Sequence, residues 1–242
     1  MRPRAVFYHV CAAPGWQAMA EEQLAALECS GLHQSQGFGG LHVSIVGERQ
    51  TCEYRWPEYL AALSWHQDRE RYEFAALDLA YEWALRQPIS DLLYLHTKGV
   101  TRPADWSATP WRHYMQWGVL ERWRECTQAL EAGYDLAGVE WQPEGWPYNA
   151  RPETQRVRVA SGFFAGNYWW ARAEWIRRLP PPQTLERTNR WDAEAWLGKQ
   201  AAPVVACLHN TRRRGGQHAF LADPGFGRHI YAPASPANPP PE

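Results

Sequence analysis

The stretch Asp91-Leu92-Leu93-Tyr94-Leu95-His96 constrains the fold more than any other. Its consecutive apolar residues leave neither face fit for water. That pattern belongs to a strand inside a parallel sheet covered by helices on both sides. The flanks agree. Upstream, residues 69–86 place Tyr72, Ala76, Leu79, Ala80 and Trp83 on one helical stripe that Pro88 stops. Downstream, Gly99 turns the chain and a loop runs to Pro110. The longest predicted helix, 111–131, follows, with Trp111, Met115, Val119, Trp123 and Leu130 inward and Gly133 at its end.

The opening of the chain repeats the alternation. A strand is expected over 5–10 and a helix over 16–29, with Trp16, Met19, Ala20, Leu24 and Leu27 on one face. A second strand is expected over 41–46. Residues 48–67 show no single period, and Pro57 opposes a long helix there. Further strands are expected over 134–141, 157–164 and 204–208, with helices over 173–179 and 189–199. Residues 142–156, with three prolines, read as a surface loop or lid. The fold class is therefore α/β: a mostly parallel central sheet flanked by helices. It forms a single domain over residues 1–223, with a Pro/Ala-rich C-terminal tail over 224–242.

Composition narrows the function classes. No apolar run approaches the ~20 residues of a membrane span. Charges of 25 and 26 nearly cancel, so no global basic field attracts nucleic acid. Five cysteines without a CxxC pair fit a reducing compartment, and the N-terminus carries no secretion signal; the expected location is cytoplasmic. Fifteen tryptophans are either core or flat faces for sugars and bases, which composition does not separate.

The organising strand ends in His96-Thr97-Lys98-Gly99, which sets an imidazole, a hydroxyl and an ammonium where ligands of open α/β sheets collect. Three segments in order, Leu-His-Thr-Lys-Gly (95–99), Gly-Asn-Tyr-Trp-Trp-Ala-Arg (166–172) and Arg-Trp-Asp-Ala-Glu-Ala-Trp-Leu (190–197), resemble a group of bacterial and viral glycosyltransferase-like proteins. Trp111-Arg112 opens the long helix that lies between the first two. The resemblance covers about residues 4–210. It implies a Rossmann-like GT-A fold that takes a nucleotide-diphosphate sugar at its strand ends, with a glycan or other hydroxyl as acceptor.

The resemblance also implies roles. In that fold the strand matching 91–96 usually ends in an Asp-x-Asp pair holding a divalent metal such as manganese. Here His96-Thr97-Lys98 stands instead, which favours Lys98 as the charge facing the diphosphate and no metal ligand among these residues. The alternative is a metal shared by His96 and His209. His9 falls where the family holds the base or ribose, although a half-buried strand histidine explains it as well. Arg112 is a phosphate contact or a partner for a surface acid. Gly166 and Asn167 are candidate sugar contacts, and of Trp169 and Trp170 at most one can face a ligand if the segment is extended. Glu194 is the preferred general base for an inverting transfer, with Asp192 the other carboxylate, about 200° away on a helix. The run Arg212-Arg213-Arg214 closes over a diphosphate or is simply solvated. Two other functions stay open: a non-catalytic carbohydrate-binding protein on the same scaffold, and a viral-type transferase acting on a DNA base. The near-neutral charge counts against the second.

Overall fold

The computed structural model describes residues 2–49, 54–142, 162–185, 190–200 and 203–211. Strand β1 (Arg4–Cys11) leads into helix α1 (Trp16–Cys29), then β2 (Phe38–Val46), β3 (Leu60–His66), α2 (Phe74–Arg86) and β4 (Asp91–His96). The second half runs α3 (Ala108–Gln116), α4 (Trp123–Glu131), β5 (Leu136–Val139), β6 (Trp141–Gln142), β7 (Phe163–Phe164), β8 (Trp169–Arg172), α5 (Ala173–Ile176), α6 (Arg190–Glu194) and β9 (Val205–His209).

Seven strands form one sheet in the order β3-β2-β1-β4-β8-β5-β9. All are parallel except β8, which runs antiparallel to both β4 and β5. The expected strands over 5–10, 41–46 and 91–96 lie in this sheet; the one over 134–141 divides into β5, which joins it, and β6, which pairs antiparallel with β7 in a separate two-stranded sheet. Strand β3 arises within 48–67, where no period pointed to it. None of its residues is fully buried, because it is the edge strand.

The doubly apolar β4 behaves as its composition requires. Leu93 and Leu95 enter one core with Val6, Tyr8, Val10 and Trp170, beneath α1, α3 and α4. Leu92 and Tyr94 enter the other with Phe7, Trp169 and Ala171, beneath α2, α5 and α6. Side chains alternate across the pleat, so two layers of helix sandwich the sheet.

Four helices differ from the expected spans. Helix α5 stops at Ile176, and α6 ends at Glu194 with a 3-10 turn at Trp196–Gly198 after it. Helix α2 begins at Phe74, and Arg69–Arg71 forms a separate 3-10 turn, so Tyr72 lies outside the helix. The 111–131 helix is interrupted by a π turn at Trp117–Glu121. Within that turn a Cβ on Gly118 would sit 2.5 Å from Val139 Cγ1, so the helix meets β5 closely at that point. The widened turn leaves the Val119 carbonyl to accept a 2.8 Å bond from Trp170 Nε1. Most of the 142–156 loop, residues 157–161, the 212–214 run and the tail lie outside the described residues.

Candidate active site

A cavity of about 330 Å³ opens at the carboxyl ends of β1, β2 and β4. His9, His96, Thr97, Lys98 and Glu194, nominated from three separate parts of the chain, all line it. Parallel strands deliver their carboxyl ends to one edge of the sheet, which is why distant residues meet there. Glu194 arrives on the end of α6, whose Ala193 is buried in the core and so turns the carboxylate outward. Arg69, Tyr72, Glu73 and Arg102 also line the cavity.

The floor is a buried network centred on Glu73. Its Oε2 accepts bonds from the Tyr94 hydroxyl at 2.9 Å and from Asn167 Nδ2 at 2.5 Å. Its Oε1 lies 3.0 Å from His96 Nδ1. The other His96 nitrogen, Nε2, lies 3.0 Å from the Gly166 carbonyl. A carbonyl and a carboxylate therefore hold the ring at both of its nitrogens. Burial alone would raise the Glu73 carboxyl. The His96 charge and hydrogen bond, then the charges of His9 and Lys98, hold it below the usual carboxylate range. Burial also raises the Tyr94 phenol well above its ordinary value, with Glu73 and then Glu194 adding to the effect. His9 is 5% exposed, and its Nδ1 has no hydrogen-bond partner among the described residues. Burial, together with the nearby His96 and His66, lowers its pKa to about 4 against the pull of Glu73.

Below the floor, the His96 carbonyl accepts from Gln23 Nε2 at 3.0 Å and from the Tyr168 hydroxyl at 2.5 Å, while the Tyr8 hydroxyl bonds Gln23 at 2.8 Å. Thr97 ties the two central strands, its hydroxyl accepting from the Cys11 N–H at 2.9 Å. These bonds fix the end of β4 and so the start of the Lys98 turn. On the rim, Lys98 makes no ion pair among the described residues. Arg69 and Arg102 reach carboxylates only at 3.6 and 3.8 Å, and both are largely exposed. Three basic side chains therefore line the cavity together with the carboxylates of Glu73 and Glu194.

Several candidates have structural work in place of ligand contact. Arg112 is 4% exposed and grips Glu22 through two bonds of 2.9 and 2.7 Å. Its third bond, 3.1 Å to the Lys98 carbonyl, braces the turn from behind. Glu22 falls to about 2, because bonds from His113 and Arg112 outweigh its burial. Asn167 is spent on Glu73 and on Trp169 Nε1, and it does not line the cavity. Gly166 answers a packing demand: at φ +93°, a Cβ there would lie 2.1 Å from Met115 Sδ. Trp169 and Trp170 do point to opposite faces, but each face is core. Asp192 pairs with Lys199 at 2.7 Å, away from the cavity. Among the described tryptophans only Trp106 is exposed, so the abundance of this residue serves the core.

The donor set does not fit a metal. Both His96 nitrogens face acceptors, and His209 Nδ1 lies 2.7 Å from the Tyr114 hydroxyl, in a separate cluster with Glu140. Among the described residues no three His, Cys, Asp or Glu side chains are grouped to hold an ion. No helix among those residues is long and apolar enough to cross a membrane. Glu73, Gln23 and Tyr168 had no signal in the sequence beyond being polar residues beside apolar stripes. Glu73 at the entrance to α2 is the one a search for carboxylates at helix starts would have reached.

A search of curated proteins gives no match. Two solved structures are similar in fold. One is a 4-diphosphocytidyl-2C-methyl-D-erythritol synthase, 8% identical, covering 86% of this chain and 89% of its own at a TM-score of 0.41. The other is an inferred nucleotide-diphospho-sugar transferase from Desulfovibrio desulfuricans G20, 13% identical, covering 96% and 94% at a TM-score of 0.43. Neither likeness bears on the chemistry of the cavity. The model of one family, described as Domain of unknown function (DUF8361), matches residues 7–222, and the chain belongs to that family.

Proposed function

We propose that this protein is a glycosyltransferase that moves a sugar from a nucleotide-diphosphate donor to a hydroxyl acceptor. One observation carries the reading: a cavity at parallel strand ends lined by Lys98, Arg69 and Arg102 and by Glu194. In the transfer, the acceptor oxygen bonds to the anomeric carbon as the bond from that carbon to the diphosphate oxygen breaks. The electron pair leaves with the diphosphate. Lys98 and the rim arginines offset that growing charge, and Glu194 takes the acceptor proton. His96 has no spare donor for the ligand, so it holds the floor in position. No step runs through a metal. The non-catalytic carbohydrate-binding reading draws less support from tryptophan content, since eight of the described rings are buried and only Trp106 is exposed.

Calorimetric titration with nucleoside diphosphates and nucleotide sugars in EDTA tests the proposal. Binding is expected without metal, and Lys98→Ala should weaken it by one to two powers of ten, about 1.4 kcal/mol for each. Glu194→Gln should keep that binding and lose turnover by about 10²–10⁴. Absence of donor binding, or binding that needs added manganese, overturns the reading.

A further inference from the structure

Tyr72 has a backbone that a ring-bearing residue rarely adopts, with φ 41° and ψ −136°. Glycine takes this conformation freely, because it mirrors ordinary extended backbone; a residue with a Cβ does not. The strain is imposed from both sides. Before it, the Tyr72 N–H is bonded to the Arg69 carbonyl at 3.2 Å, and Arg71 pairs with Asp78 at 3.1 Å. After it, the Glu73 carboxylate is gripped by Tyr94, Asn167 and His96, and the Glu73 carbonyl accepts from Ala76 and Leu77 at the start of α2. Strained residues persist where their surroundings over-determine them, and they gather at ligand sites.

The residue so held is half-buried, lines the cavity and packs on the core beneath α2. The cavity walls differ in chemistry. Ala12, Ala13, Pro14 and Val46, from the ends of β1 and β2, are small or apolar, whereas the β4 turn supplies Lys98 and Arg102. A ligand suited to both has a flat, weakly polar head and an anionic tail.

Resting on the reading of the cavity as a donor site, we infer that Tyr72 is a specificity-determining residue whose ring is the stacking face for the planar base of a nucleoside diphosphate. The strained backbone is what presents that face.

The test titrates four ribonucleoside diphosphates and inorganic pyrophosphate into the wild type and into Tyr72→Phe, Tyr72→Leu and Tyr72→Gly, with melting temperatures measured for each. Loss of the aromatic face in the Leu variant should weaken the best nucleoside diphosphate about tenfold or more, with pyrophosphate unchanged and the Phe variant like the wild type. Strain relief should let the Gly variant melt no lower than the Leu variant, although leucine fills more space. Nucleotide binding by the Leu variant equal to wild type overturns the stacking role. A Gly variant melting below the Leu variant overturns the strain argument. If the wild type binds neither nucleotide nor pyrophosphate, the donor-site reading falls, and this inference with it.

Discussion

Replacing Glu73 with alanine removes the acceptor for three buried donors at once. Tyr94 is 0% exposed, Asn167 1% and His96 7%, so water does not readily take the place of the lost oxygens. Each stranded donor costs about 1–3 kcal/mol, and breaking a buried charge pair about 3–5. The three share one carboxylate and do not add, so the expected loss is about 3–5 kcal/mol, a large part of the ~5–15 of a typical domain. Urea unfolding at pH 7 measures it as a fall in midpoint with the slope unchanged. The pH dependence gives a second reading. The Glu73 pKa is depressed in the folded state, so its contribution is full above the ordinary carboxyl value of 4.5 and drains away as pH falls below that. Glu73→Gln should therefore lose part of the acid-side fall in stability that the wild type shows. A cost for Glu73→Ala below about 1 kcal/mol would refute the picture of Glu73 as the centre of the floor.

Other outcomes follow from the same geometry. Gly166→Ala should destabilise by about 1–3 kcal/mol in urea, from its positive φ and the clash with Met115, and should do so even in the absence of any ligand. For His9, the folded pKa of about 4 lies below the ordinary 6.5, so the unfolded chain binds the extra proton between those values. Stability should fall by up to about 1.4 kcal/mol per pH unit from 6.5 down to 4, and His9→Gln should lack that slope in pH-dependent unfolding. Arg112→Lys cannot reproduce the forked grip on Glu22, so donor affinity should drop through the Lys98 turn although Arg112 does not line the cavity; calorimetry reads it.

The residue pattern by itself decided the class of this fold. A run of four apolar residues, Leu92 to Leu95, between two amphipathic helices has few places to go other than the middle of a covered parallel sheet, and Asp91–His96 is there. The same logic carried His9, Thr97 and Lys98 to one cavity, because carboxyl ends of parallel strands share an edge. Chemistry at the level of single atoms was not legible in that way. Whether a polar side chain meets a ligand or a neighbour depends on what long-range packing sets beside it. Arg112 found Glu22, 90 positions away. Asn167 found Glu73, 94 positions away. Gly118 stands where its helix meets Val139, 21 positions away, too closely for a side chain. Strand β3 carried no period of its own, since an edge strand buries too little to be patterned. Tyr72 looked like a helix-stripe residue until the turn before α2 threw it into the cavity. Periodicity records how each segment meets the core as a whole. Only the tertiary structure pairs one donor with one acceptor, and here that pairing separates the residues left facing the cavity from those spent on holding it open.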